Sequence, residues 1–154
     1  HAAIRDPLWS RGLGDVYKRQ IISKAEKRNV TIVMELLNSK VNHPDYMCDK
    51  SDWGIKLCKK IGSENFKLLY DIYHMQIMEG DILRTFETNK SQIGHIQIAD
   101  NPGRNEPGTG ELNYSNIFSF LEKNYDGWIG CEYNPKKSTD DSLSWMKDIG
   151  EKSG

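Results

Sequence analysis

The sequence predicts an α/β chain built on a parallel sheet. Three observations carry that expectation: four short apolar runs rich in strand formers, helical periods between them, and a step of about one βα unit from run to run. The runs are VTIVMELL at 30–37, FKLLYDIY at 66–73, IGHIQIA at 93–99 and WIGCEY at 128–133. They barely alternate, as expected for parallel strands covered on both faces.

The helical segments follow in order. Residues 21–28 read as the tail of an earlier helix. In 51–61, Ser51 is placed to cap, and Leu57, Cys58 and Ile61 share a face. In 113–123, Asn113 is the expected N-cap, and Tyr114, Ile117, Phe118 and Leu121 follow the i, i+3, i+4, i+7 rule. Near the end, Thr139 precedes Asp140 and Asp141, which suit a helix start. Leu143, Met146 and Ile149 then form the expected buried stripe. Trp53, Trp128 and Trp145 are expected to pack helix on strand, and Cys131 to be a small core residue.

Two architectures fit: an open doubly wound sheet and a (β/α)8 barrel. No GxGxxG or GKS/T loop follows any run, which weakens the nucleotide-binding version. A barrel of roughly 250 residues has about 31 residues per unit. Four units therefore fit in residues 21–150, and the barrel reading makes the chain half a barrel.

Composition narrows the function classes. The chain has 154 residues, 37% hydrophobic and 28% charged, enough apolar material for a core. A net charge of −1 removes the electrostatic case for a nucleic-acid or membrane-surface partner. No run of about 18 apolar residues exists, and no signal peptide is visible. Cys48, Cys58 and Cys131 form no CxxC pair, which argues against a disulfide framework or structural zinc. A cytoplasmic, reducing setting is expected. The first 30 residues carry 7 Lys+Arg against 3 Asp+Glu, and the remainder 14 against 19. RGLGDVYKRQ at 11–20 resembles translated adapter sequence, so residues 1–20, Trp9 among them, are expected to be non-native. Residues 21–150 are taken as the folded unit and 151–154 as a tail.

Each run carries one ligand-type residue near its C-terminal end: Glu35, Asp71, Gln97 and Glu132, spaced 36, 26 and 35 residues apart. In a parallel barrel all four converge on the C-terminal mouth. Three carboxylates in one small space repel, and a divalent cation balances them; oxygen donors with one amide suit Mg²⁺ or Mn²⁺. His74 follows in D-I-Y-H, and Arg104 lies in the Gly/Pro-rich loop NPGRNEPGTGE after the Gln97 strand. His95 alternates in phase with Gln97 and reads equally as a site residue or a core histidine. Asn38 and His43 follow the Glu35 strand.

ELLNSKVNHPDY at 35–46, DIYHMQIMEGD at 71–81, IGHIQIADNPGRNEPGTGELNY at 93–114 and GCEYNPK at 130–136 carry a family resemblance. The chain resembles the C-terminal half of hydroxypyruvate isomerases, in the xylose-isomerase-like TIM-barrel superfamily. The resemblance covers roughly residues 21–150 and implies a partial (β/α)8 TIM barrel of about four C-terminal βα units. It implies Glu35, Asp71, Gln97 and Glu132 as metal ligands. Glu35 and Glu132 would also be the proton donor and acceptor, and His74 and Arg104 would hold the substrate. Asn38, His43, Pro44 and Tyr46 would sit in a loop less tightly tied to function. The implied reaction interconverts hydroxypyruvate and tartronate semialdehyde. It needs a small hydroxy-keto acid or sugar substrate and leaves room for a homo-oligomer in the full-length parent. The 2-oxo-tetronate isomerases share most of the pattern, a ketose 3-epimerase is a neighbouring alternative in the same superfamily, and a catalytically incompetent half-barrel is the non-enzyme alternative. Endonuclease-type members use many histidines, and this chain has 4. The isolated fragment is expected to be inactive, and to aggregate or dimerise through its open sheet edges.

Overall fold

A computed structural model describes the backbone of residues 13–150 and the side chains of residues 21–147. The expectations for residues 1–12 and 151–154, and for the side chain of Ile149, lie outside the described residues. Four parallel strands form one sheet in sequential order: β1 (Ile32–Glu35), β2 (Phe66–Asp71), β3 (Ile93–Ile98) and β4 (Ile129–Cys131). The helices are α1 (Leu13–Arg28), α2 (Ser51–Ile61), α3 (Ile72–Met78), α4 (Ile82–Asn89), α5 (Tyr114–Asn124), α6 (Thr139–Ser142) and α7 (Trp145–Gly150), with a 3₁₀ turn at Lys90–Gln92. Among the described residues no helix is long and apolar enough to cross a membrane.

The sheet has two unlike faces, where the unalternating runs led us to expect both to be covered. Leu68, Tyr70, Ile96 and Ile98 are buried in the core shared with Ile55 and Cys58 of α2, Phe86 of α4 and Ile117 and Leu121 of α5. The opposite face holds Val33, Lys67, Leu69, His95 and Gln97, all half-exposed. Residues on one face of a sheet recur at every second position. The central strands β2 and β3 therefore alternate in burial over much of their length, while the half-exposed face uses apolar residues as well as polar ones.

The β2–β3 register slips between Leu68 and Leu69. Gly94 sits at the slip, where a Cβ would lie 2.7 Å from Lys67 Cβ. Downstream the pairing is regular: Glu35 opposite Leu69, Asp71 opposite Gln97, and Gln97 opposite Gly130. This staircase carries the ligand-type residues to the same end of the sheet on the half-exposed face.

α2 seats closely on the sheet because Gly54 lacks a side chain. A Cβ there would be 2.8 Å from Leu36 Cδ2. This turns Gly54, Ile55 and Cys58 inward and leaves Leu57 and Ile61 half-buried at the margin. Ser51 does not cap α2: Lys50 is the N-cap, and the Ser51 hydroxyl donates to Glu79 Oε2 at 2.6 Å. Asn113 caps α5 as expected, accepting from the Asn116 N–H at 3.1 Å.

Other expectations are corrected. The run 66–73 is not all strand, because Asp71 ends β2 and caps α3 at once. The period over 139–149 breaks into two short helices; the first starts at Thr139 with Asp140 and Asp141 in its first turn, and Ser138 caps it. Leu143 and Met146 are exposed rather than buried; Trp145 makes the inward contact, its ring stacked on Phe118 at 5.4 Å. Trp53 packs against the core, but Trp128 is 87% exposed; it precedes β4, and its carbonyl accepts from the Tyr125 hydroxyl. Cys131 is exposed on the edge strand instead of buried. Tyr125 and Phe120 hold Phe86 edge-on, at 5.8 and 6.0 Å between ring centroids, and so tie α4 to α5.

Candidate active site

Asp71 is fully buried at the end of β2. Its Oδ1 accepts the N–H groups of Tyr73 and His74, at 2.8 and 3.3 Å, which starts α3. Its Oδ2 is buried without a hydrogen-bond partner, and so is Gln97 Oε1 on the neighbouring strand. Buried oxygens of this kind are costly unless something satisfies them.

α3 sets His74 over the same point. Its Nε2 is 3.7 Å from Asp71 Oδ2 and 3.8 Å from Glu35 Oε1. Glu35, Asp71 and His74 each offer one atom within 4.8 Å of the others, a grouping that could hold a metal ion. Burial, then the nearby Arg104 and His43, lower the His74 imidazole to about 4. It is therefore uncharged at neutral pH, and its approaches to Glu35 and Asp71 are not ion pairs.

Arg104 reaches in from the loop after β3. Its Nη2 is 2.9 Å from Glu132 Oε2, 3.4 Å from His74 Nε2 and 3.9 Å from Asp71 Oδ2. The guanidinium also lies over the Tyr73 ring, 5.0 Å from its centroid, a favourable cation–π placement. Burial first, then Glu35, raise the Asp71 carboxyl well above its usual range against the opposing pull of the His74 N–H and Arg104. Burial, then Glu132, raise Glu35 as well.

The structure thus brings Glu35, Asp71, His74, Arg104 and Glu132 into one connected cluster, with Gln97 opposite Asp71 in the sheet. His95 shares the Gln97 face: a Cβ on Gly130 would lie 3.1 Å from His95 Nε2 and 3.4 Å from Gln97 Cγ.

Two further residues were not expected in the site. Asp100 is buried and accepts four main-chain N–H groups, from Asn101 and Leu112 on Oδ1 and from Gly108 and Gly110 on Oδ2. It shapes the loop that carries Arg104, whose φ is 53°. An Asp just past a strand end and ahead of several glycine N–H groups is the signal that could have found it. Asn38 is fully buried against His74, more closely tied to the site than its place in the 35–46 loop implied. No local pattern marks that contact, since the two lie 36 residues apart.

Residues 18–149 match the xylose isomerase-like TIM barrel family. The 2-oxo-tetronate isomerase of Cupriavidus necator is 43% identical over 124 residues, 80% of this chain and 47% of the relative. The hydroxypyruvate isomerase of Escherichia coli is 46% identical over 115 residues, 72% of this chain and 45% of the relative. Among solved structures, an AP endonuclease, family 2, from Brucella melitensis superposes with a TM-score of 0.81 at 39% identity, covering 85% of this chain and 51% of that one. The chain spans about half the length of these relatives. Four parallel βα units with ligand-type residues at one end are part of such a barrel, and the chain belongs to the xylose isomerase-like TIM-barrel family.

Proposed function

We propose that this chain supplies the chemical half of a divalent-cation-dependent isomerase acting on small hydroxy-keto acids. The best-supported reaction interconverts hydroxypyruvate and tartronate semialdehyde. The observation that carries the reading is the pair of buried, partnerless oxygens on neighbouring strands, Asp71 Oδ2 and Gln97 Oε1, with the Glu35 carboxylate grouped against Asp71. An oxygen-rich donor set with excess negative charge suits Mg²⁺ or Mn²⁺. Glu35, Asp71, Gln97 and Glu132 would hold the ion. When bound, it would supply the positive charge that stabilises an enediolate.

The remaining work falls to the chain's own residues. Arg104 binds the substrate carboxylate through its guanidinium fork. His74, uncharged and fixed by α3, contacts a substrate oxygen. One glutamate takes the proton from the carbon beside the carbonyl, and the other returns a proton to the neighbouring carbon. The raised affinity of Glu35 for its proton suits it to holding one between the two steps. The contact of Glu132 with Arg104 lets substrate binding release that carboxylate for proton transfer.

The 2-oxo-tetronate isomerase reading shares this site, and the C. necator relative bears that name. A ketose 3-epimerase would need no carboxylate partner, so Arg104 favours the acid substrates. The test is Mn²⁺ binding to the chain, read by loss of the free-ion electron paramagnetic resonance signal. Asp71→Asn combined with Gln97→Ala should weaken binding at least tenfold. Unchanged binding in the double variant refutes the reading. Substrate choice is read from solvent deuterium uptake into hydroxypyruvate and 2-oxo-tetronate, after the barrel is completed with the N-terminal half of the E. coli relative. The 154-residue chain alone is expected to show no turnover.

A further inference from the structure

We propose that Asn38 is a positioning residue that locks the tautomer of His74, so that Nε2 offers the site a hydrogen rather than a lone pair. The orientation of the Asn38 amide is fixed by its surroundings. Its Oδ1 accepts the N–H groups of Val41 and Asn42, at 3.1 and 2.8 Å. Main-chain N–H groups only donate, so the oxygen must lie on that side and the NH₂ on the other. The NH₂ donates to Asn42 Oδ1 at 2.8 Å and meets His74 Nδ1 at 2.5 Å. Asn42 Oδ1 is held in turn by the Tyr73 hydroxyl at 3.1 Å.

His74 Nδ1 also receives the Asn38 main-chain N–H at 3.2 Å. Two donors therefore converge on Nδ1, and a nitrogen in that position accepts and carries no hydrogen. An imidazole keeps at least one ring hydrogen, and with Nδ1 accepting, that hydrogen lies on Nε2. The opposite tautomer would let Nε2 accept from Arg104 Nη2 at 3.4 Å, but it would set a ring N–H against both Asn38 donors. Two closer contacts outweigh one long one, and Nη2 has a nearer acceptor in Glu132 Oε2.

The consequence concerns the grouping of Glu35, Asp71 and His74. A ring nitrogen that bears a hydrogen cannot ligate a metal. Asn38 thus keeps His74 out of the coordination shell and leaves the cation to oxygen donors. It also aims an N–H at a substrate oxygen. The use of that hydrogen rests on the isomerase reading; the tautomer itself does not.

The test is long-range ¹H–¹⁵N correlation spectroscopy of the chain labelled with ¹⁵N-histidine. It has 4 histidines, and His74→Gln assigns the signal of interest. The wild-type chain should show His74 with an unprotonated Nδ1 and a protonated Nε2. In Asn38→Asp the carboxylate still accepts from Val41 and Asn42 but places an oxygen against Nδ1, so the two ring signals should exchange character. Added Zn²⁺ should then shift Nε2 directly in Asn38→Asp and not in wild type. A protonated Nδ1 in the wild-type spectrum, or unchanged ring signals in a folded Asn38→Asp, overturns the proposal. An intact tautomer without Mn²⁺ binding would instead defeat the isomerase reading alone.

Discussion

Asp100→Ala tests whether one carboxylate shapes the loop that carries Arg104. The Asp100 side chain, 1% exposed, accepts from Asn101 and Leu112 at 2.9 and 3.1 Å and from Gly108 and Gly110 at 2.9 Å each. Gly108 and Gly110 are exposed, so water can replace the lost acceptor there. Asn101 is buried and Leu112 half-buried, so their N–H groups lose their acceptor where water enters poorly. Each donor stranded out of water costs about 1–3 kcal/mol, which puts the variant at about 2–6 kcal/mol of lost stability. Urea unfolding followed by far-UV circular dichroism measures it. Asp100→Asn separates the two halves of the network. Its oxygen can keep the Asn101 and Leu112 bonds, while its NH₂ faces the Gly108 and Gly110 donors. Asn should therefore cost less than Ala and should speed hydrogen exchange at those two glycines. An Ala variant within ~0.5 kcal/mol of wild type, the range of ordinary surface substitutions, with unchanged exchange at both glycines, would refute the reasoning.

Gly110→Ala should prevent the loop from closing, because its Cβ would meet the Asn101 carbonyl oxygen; loss of the ordered Gly108 and Leu112 amide signals in an NMR spectrum checks it. Phe86→Ala should cost about 3–5 kcal/mol by emptying a fully buried site between α4 and α5, measured as a shift in the urea midpoint. The Asp71 carboxyl titrates higher in the folded chain than in the unfolded one. A carboxylate raised in this way favours the fold below its unfolded range and loses that advantage as pH climbs toward its folded value. In chelator, thermal stability of wild type should therefore fall from weakly acid to neutral pH, and Asp71→Asn should flatten that fall; an unchanged slope would count against it.

Much of the fold was legible because hydrophobic runs at one-unit spacing have few other solutions. The four strands, α2, α5 and the Asn113 cap follow directly from local pattern. α3 was not legible: in FKLLYDIYHMQIM the apolar residues continue through Asp71, and only the acceptance of two N–H groups by its Oδ1 marks the change from strand to helix. Leu143, Met146, Trp128 and Cys131 show the limit of composition as a guide to burial. Whether such a residue is covered depends on which element lies across from it, and no local period records that. The clustering of Glu35, Asp71, His74, Arg104 and Glu132 was readable from strand ends and one loop. The role of Asn38 was not, because its contact with His74 joins residues 36 apart in the chain, and Asp100 was missed although an acid ahead of several glycines is a local signal.

The dual duty of Asp71 bears on ion size. With Oδ1 committed to opening α3, the side chain has a single oxygen to give and cannot chelate through both. Ca²⁺ fills a large, loose shell of 6–8 oxygens and readily takes carboxylates two-handed. Under the proposed metal-dependent reading, a one-handed aspartate anchored by its other oxygen would suit a smaller ion with fewer ligands, and the first turn of α3 would act as a size filter.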